Sequence, residues 1–201
     1  MKDLKRRMTA LSLALLLIGC LTACGTSERN TAASTQSSTV APFDGSPELG
    51  DTMPELTFTT AEGETVSLSQ LLGEKKLVVL NFWFANCTWC LREFPVMEVA
   101  YQRYQQDVEI LAVNPVDSAS DIRAFREEKA YSFPMAPCSR ELALSFGVTG
   151  YPTSVFIDRE GTICLIHTGA ITDVSVFDRV FETFTADDYQ QKLYKSVEEL
   201  L

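Results

Sequence analysis

An unbroken apolar run, Leu77-Val78-Val79-Leu80-Asn81-Phe82-Trp83, ends just before the motif Cys87-Thr88-Trp89-Cys90. That junction constrains the fold more than any other stretch of the chain. A run of this composition is buried on both faces, as the central strand of a helix-covered sheet is. After it, Leu91, Phe94, Met97, Tyr101 and Tyr104 recur at spacings of three and four. The spacing predicts an amphipathic helix from about Thr88 to Tyr104, kinked at Pro95. Two thiols at positions i and i+3 on a strand-to-helix turn can close a small disulfide ring. The first, Cys87, falls at the helix N-terminus, where unpaired N–H groups and the helix dipole favour a thiolate. The second, Cys90, lies one turn deeper and is the poorer nucleophile. The placement points to thiol–disulfide exchange.

The flanking segments supply the rest of an α/β domain over residues 51–186. Leu56 and Phe58 alternate with threonines, Glu62-Gly63 supplies a turn, and Val66 and Leu68 alternate again, which predicts an N-terminal β-hairpin. Ser69–Gly73 reads as one helical turn with a glycine stop. Val108–Asn114 is a second buried strand, and Ser118–Asp121 can cap a helix running to about Tyr131. A short helix is expected over Arg140–Phe146. Thr153–Ile157 and Thr162–His167 read as strands joined by the turn Asp158–Gly161. Thr172–Phe184 is an amphipathic helix with Phe177, Val180, Phe181 and Phe184 inward, and residues 187–201 form a tail with helical character. A βαβ crossover followed by a ββα unit is a thioredoxin-like arrangement, a central mixed β-sheet flanked by helices with the hairpin as an N-terminal extension.

The N-terminus carries Lys2, Lys5, Arg6 and Arg7, followed by an apolar stretch from Met8 to about Leu21. That stretch is shorter than the roughly 20 residues a spanning helix needs, which is the shape of an export signal. It ends in Leu21-Thr22-Ala23-Cys24-Gly25, which resembles the lipobox of bacterial lipoproteins. The resemblance implies a signal peptide over 1–23 and a diacylated Cys24 holding the chain to the outer face of the cell membrane. Leu17-Ile18-Gly19-Cys20 fits the same pattern, and an uncleaved anchor is the alternative. Residues 24–50 are rich in Ser, Thr, Ala, Pro and Gly and read as a flexible tether.

Formal net charge is −10. Nucleic acid is not an expected partner, because phosphate binding needs clustered Lys and Arg. Cys138 and Cys164 stand alone in sequence, so a structural disulfide, a second redox pair and free thiols all stay open. A zinc site would need them and His167 beside the CxxC pair, with no second CxxC to complete it, and no metal is expected.

Asn81-Phe-Trp-Phe-Ala-Asn-Cys87-Thr-Trp-Cys90-Leu-Arg-Glu-Phe-Pro95 resembles the active-site segment of TlpA-like (ResA-like) thiol–disulfide oxidoreductases, membrane-tethered members of the thioredoxin superfamily with an AhpC/TSA-type redoxin domain. A second block, Phe146-Gly-Val-Thr-Gly-Tyr-Pro152-Thr-Ser-Val-Phe-Ile-Asp158-Arg-Glu-Gly161, resembles the same family, as do the opening Met53-Pro54-Glu-Leu-Thr-Phe and Gly169. The resemblance implies Cys87 as nucleophile and Cys90 as resolving thiol, the two forming a redox-active disulfide. It implies Pro152 as the family's cis-proline and the backbone of Tyr151 as the edge that pairs with a bound peptide. Glu93 matches the acidic residue one turn after the second cysteine. Three residues beyond Cys90, it shares that thiol's helix face, and an apolar setting there would raise its pKa toward a value suited to proton transfer. Trp89 is expected at the rim as a contact surface, and Trp83 in the core beneath.

The chain departs from its relatives in three places: Asn81 replaces the buried Asp of cytosolic thioredoxins, Asn86 a common Trp, and Thr88-Trp89 the usual central dipeptide. The family also implies partners: exported disulfide proteins, such as cytochrome c maturation proteins or methionine sulfoxide reductases, and a membrane thiol donor of the CcdA/DsbD type. The implied activity is that of an extracytoplasmic disulfide reductase with no cofactor, acting as a monomer. A disulfide-forming oxidase or isomerase and a non-catalytic binding module are the alternatives. Peroxiredoxin chemistry would need Thr three residues before the attacking cysteine, where this chain has Phe84.

Overall fold

The computed structural model describes residues 46–201. The elements in chain order are β1 (Thr57–Thr59), β2 (Thr65–Ser67), α1 (Leu68–Glu74), β3 (Leu77–Phe82), α2 (Thr88–Tyr104), β4 (Val108–Asn114), α3 (Ala119–Lys129), β5 (Met135–Pro137), α4 (Arg140–Ser145), β6 (Thr153–Asp158), β7 (Ile163–Thr168) and α5 (Val174–Thr185). The alternation of threonines with Phe58 and Val66 builds the β1–β2 hairpin, in which those two residues pair directly. The apolar run becomes β3, buried along its whole length. It lies in the middle of a five-stranded sheet of order β5-β4-β3-β6-β7. β3, β4 and β5 run parallel, while β6 and β7 run antiparallel to their neighbours, so the sheet is mixed.

Each sheet face has its own core. On one face α2, α3 and α5 pack over Leu77, Val79, Trp83, Ile110, Phe156 and Leu165, contributing Phe94, Met97, Ile122, Phe177, Val180 and Phe181. On the other the hairpin, α1 and α4 cover Val78, Leu80, Phe82, Leu111, Val113 and Val155. Full burial of each large apolar side chain is worth roughly 1.5–3 kcal/mol, so the two cores hold the central strand from both sides. Ser67, Ser118, Ser139 and Asp173 cap α1, α3, α4 and α5, each accepting a hydrogen bond from a first-turn N–H.

The structure departs from the sequence expectations at several boundaries. Leu68 opens α1 rather than closing a strand, and Gly73 lies within that helix. α2 has the expected bounds, Thr88–Tyr104, with Pro95 inside it. β5 has no counterpart in the sequence reading. It is three residues long, ends in proline, and has no alternation to betray it. Proline is tolerated there because β5 is an edge strand. Its outer side accepts a hydrogen bond from the Ala61 N–H beside the hairpin.

The tail holds only a 3-10 turn, Val197–Glu199, rather than a longer helix. It lies instead along the β7 edge, where the Tyr194 N–H donates to the Cys164 carbonyl and Tyr194 bridges Leu165 in parallel. Backbone groups engaged with a sheet edge cannot also close helical turns. At the other end Pro47 is buried and the Gly50 N–H donates to the Ile163 carbonyl, so these residues of the expected tether pack on the domain. The expected signal peptide over 1–23, Cys20, Cys24 and the rest of the tether lie outside the described residues. Among the described residues no helix is long and apolar enough to cross a membrane.

Candidate functional site

The site forms where β3 ends and α2 begins. After Phe82 the chain keeps parallel pairing for one more residue, with the Trp83 N–H donating to the Val113 carbonyl at 3.1 Å. It then turns, the Cys87 N–H donating to the Phe84 carbonyl at 3.0 Å. The turn is tied to the loop after β4. The Ala85 N–H donates to Asp117 Oδ2 at 2.7 Å, and that oxygen also accepts from Asn114 Nδ2 at 2.8 Å. Asn114 Oδ1 accepts in turn from the N–H groups of Val116 and Asp117. Asn114 and Asp117 were not singled out in the sequence. The available signal was an Asn at a strand end with an Asp three residues on, the composition of a side-chain-stapled turn.

Cys87 is the N-cap of α2, and its Sγ accepts from the Cys90 N–H at 3.1 Å. The two cysteines form a disulfide with an S–S distance of 2.02 Å. Cys87 keeps 5% of its surface and Cys90 none, so an attacking thiol finds an approach only to the first sulfur. A thiolate released at Cys87 would receive the same Cys90 N–H and the positive end of the dipole. Trp89 is more than half exposed beside the disulfide, with the Arg92 guanidinium 4.7 Å above its ring. Trp83 is fully buried and packs on Phe94 and Phe125 at 5.0 and 4.9 Å.

Tyr151 and Pro152 come from the loop before β6, and the bond between them is cis. Phe84, from the CxxC turn, meets the Tyr151 ring edge-on at 5.3 Å. Between them and α4 lies a cavity of about 240 Å³ lined by Phe84, Val116, Arg140, Leu144, Val148 and Tyr151 among others. Val116 and Leu144 are exposed apolar residues on its wall.

Beneath the disulfide, Glu93 is wholly buried. Its Oε1 accepts from the Ile171 N–H and its Oε2 from Asn81 Nδ2, both at 2.9 Å. Asn81 Nδ2 also donates to Ser154 Oγ at 2.9 Å. Loss of water raises the carboxyl to about 7, and the two hydrogen bonds hold it from rising further. The helix spacing therefore brings Glu93 into a buried setting, which at the carboxyl itself is polar rather than the apolar one expected. Asn81 and the Ile171 N–H are not legible as its partners, nor Ser154 as the partner of Asn81, because strand pairing and a loop bring them together from far apart along the chain.

Among the described residues the other two cysteines, Cys138 and Cys164, are free. Burial pushes the Cys138 thiol up to about 12 and raises the Cys164 thiol as well, which makes both poor nucleophiles. Cys164 Sγ donates to the Phe156 carbonyl at 3.4 Å. His167 is buried on β7, and burial lowers its pKa. Among the described residues, no three His, Cys, Asp or Glu side chains converge as a metal site would require.

The sequence profile of the AhpC/TSA family matches residues 49–166. The thioredoxin-like protein YneN of Bacillus subtilis is 32% identical over 61% of this chain and 73% of its own. The thiol-disulfide oxidoreductase ResA of Halalkalibacterium halodurans is 37% identical over 57% of this chain and 65% of its own. ResA of Bacillus subtilis is 32% identical over 64% and 72%. Among solved structures, a thioredoxin-family thiol:disulfide interchange protein from Chlorobium tepidum superimposes with a TM-score of 0.62 at 20% identity, over 70% of this chain and all of that one. That last likeness concerns the fold alone.

Proposed function

The chain belongs to the AhpC/TSA family and is a thiol–disulfide oxidoreductase of the thioredoxin type, and we propose that it works as an extracytoplasmic, lipid-tethered disulfide reductase. The observation that carries the exchange chemistry is Glu93, a buried carboxyl raised to about 7 one helical turn beyond the resolving cysteine, and the reductase direction follows the resemblance to the ResA-like family.

In the reduced protein the Cys87 thiolate attacks a client disulfide. One client sulfur leaves as a thiolate, and a mixed disulfide joins Cys87 to the other. The Cys90 thiol then passes its proton to the Glu93 carboxylate and attacks Cys87 Sγ as a thiolate. The second client sulfur departs, and the Cys87–Cys90 disulfide remains. Two electrons have moved from the dithiol to the client, and a membrane thiol donor of the CcdA/DsbD type restores them. Glu93 suits the step because its pKa lies near the working pH, where a base is both available and strong enough.

Clients are exported proteins whose disulfides must be opened, cytochrome c maturation proteins or methionine sulfoxide reductases being the kinds the resemblance implies. Their backbone would lie along Tyr151 and Pro152, and their flanking apolar side chains against Trp89 and the cavity between Phe84 and Leu144. Acylation of Cys24 would hold the domain at the outer face of the membrane, within reach of the donor.

Two measurements test the reading. Cys90→Ser should accumulate mixed disulfides on Cys87, with one membrane donor and one or a few exported clients among them, while Cys87→Ser abolishes insulin reduction. A glutathione titration should give a potential nearer thioredoxin's roughly −270 mV than the roughly −120 mV of strong oxidants. A value at the oxidising end would reverse the direction and make the protein a disulfide-forming oxidase.

A further inference from the structure

Four groups meet in the buried space below the disulfide: the Glu93 carboxyl, the Asn81 amide, the Ser154 hydroxyl and the Ile171 N–H. One atom in this group is left over. Asn81 Oδ1 is buried and, among the described residues, has no hydrogen-bond partner, while Nδ2 of the same amide serves both Glu93 and Ser154. A buried polar atom without a partner is costly, so its presence calls for an explanation.

The geometry decides where a proton on Glu93 must sit. Oε1 faces the Ile171 N–H, a fixed backbone donor. A proton on the lone pair that receives that N–H would oppose a donor that cannot move. The proton therefore belongs on Oε2, which faces Asn81 Nδ2. There it meets a donor that can move, because an amide turned by half a revolution about its last side-chain bond exchanges oxygen for nitrogen within nearly the same outline. Ser154 completes the arrangement, since a hydroxyl can accept from Nδ2 or donate to Oδ1 by rotating its hydrogen.

We propose that Asn81 is a two-position amide that follows the protonation of Glu93. With the carboxylate ionised, Nδ2 faces Glu93 and Ser154, as the structure shows. With the acid protonated, Oδ1 faces them and accepts from Glu93 Oε2–H and from Ser154 Oγ–H. Either orientation leaves one amide atom unpartnered, so the turn exchanges one vacancy for another. Asn81 thereby acts as a positioning residue, giving Glu93 a matched hydrogen bond in both of its states.

The choice of residues agrees with this. An ionised aspartate at position 81 could offer no donor to a neighbouring carboxylate, and an apolar residue could serve neither state. Ser154 lies directly across from Asn81 in the β3–β6 register. Among the described residues no charged side chain is hydrogen-bonded to Glu93. Its shift arises from burial, Ile171 and Asn81 alone. The titratable groups on the surrounding elements include the cysteine pair on α2, Asp158 on β6, His167 on β7 across from Ser154, and Arg179 with the acids of α5 and its cap. Of these acids, Asp173 caps its own helix, Asp178 pairs with Arg103, and Glu182 accepts from Tyr104.

The test uses the full oxidised chain labelled with ¹⁵N- and ¹³C-asparagine. The Asn81 side-chain amide is followed by NMR from about pH 5 to about pH 9, alongside the infrared band of the protonated Glu93 carboxyl. The expected result is one shared midpoint for the two signals. In Glu93→Gln, whose amide stands in for the protonated acid, the Asn81 signal should stay flat at its low-pH position. Asn81→Leu should raise the proton affinity of Glu93 about tenfold, since a charge-assisted hydrogen bond is lost from the ionised state and only a weaker neutral one from the acid. The pH profile of thiol exchange should move upward by the same factor. A carboxyl band that titrates while the Asn81 amide stays unchanged would overturn the proposal. The inference rests on the proton-carrier reading only for that kinetic consequence. An amide that titrates beside a pH-independent exchange rate would support the two-position amide and count against Glu93 as proton carrier.

Discussion

Burial places the Glu93 carboxyl at about 7, against 4.5 for the ordinary group. Below about pH 4.5 it is protonated in folded and unfolded chains alike, and it costs the fold nothing. Between 4.5 and about 7 the unfolded chain ionises first, so folded stability falls as pH rises through that window and levels off above it. The accumulated penalty is roughly 3 kcal/mol. Glu93→Gln should therefore flatten this part of the stability profile and leave the protein more stable at pH 8, by about 2–3 kcal/mol in urea denaturation. The same substitution should slow resolution of the mixed disulfide by about 100-fold and remove the inflection near pH 7 from its rate, as measured in stopped-flow exchange. Gaining stability while losing activity separates a functional carboxyl from a merely structural one, whose removal would lower both.

At the scale of elements, β5 depends on contacts that no local pattern announces. Arg126 on α3 donates through Nε to the Phe133 carbonyl at 2.9 Å and through Nη2 to the Ser132 carbonyl at 2.8 Å. Its Nη1 reaches Glu62 in the hairpin turn at 3.0 Å. One planar guanidinium thus joins α3, the approach to β5 and the hairpin. Arg126→Ala should destabilise the domain by about 2 kcal/mol, mostly through the two stranded carbonyls. Arg126→Lys should recover less than half of this, because a lysine cannot reproduce the fork. Thermal denaturation of both variants would check it, and an unchanged melting temperature in the alanine variant would show that β5 holds without the clamp. β3, α2, β4 and α5, by contrast, were readable in advance, since their apolar spacing encodes which face is buried. For β5, Met135-Ala136-Pro137 reads as loop, and only the edge of β4 makes it a strand.

For the whole molecule, the tail takes the role of a cover. Tyr189 donates to Asp158 Oδ2 at 3.0 Å, its ring and that of Tyr194 pack on Phe184, and Val197 is buried in the core of the α5 face. Deleting residues 187–201 should lower the melting temperature by roughly 6–12 °C, equivalent to about 3 kcal/mol in a domain of this size. It should also free part of the β7 edge, so that sedimentation detects stronger concentration-dependent association in the truncated chain than in the intact one. The CxxC motif, its place at a strand-to-helix turn, the thioredoxin-like order of elements and the alignment of Glu93 with Cys90 all follow from spacing within short segments. Periodicity of 2 and 3.6 residues records them locally. The hydrogen-bond partners of Glu93 come from β3 and the loop after β7, the Ser154 hydroxyl that shares Asn81 comes from β6, and the turn at Cys87 is tied to a loop beyond β4. Those neighbours are set by how the strands pair, which spacing along the chain does not record, and the vacant oxygen of Asn81 exists only once they have met.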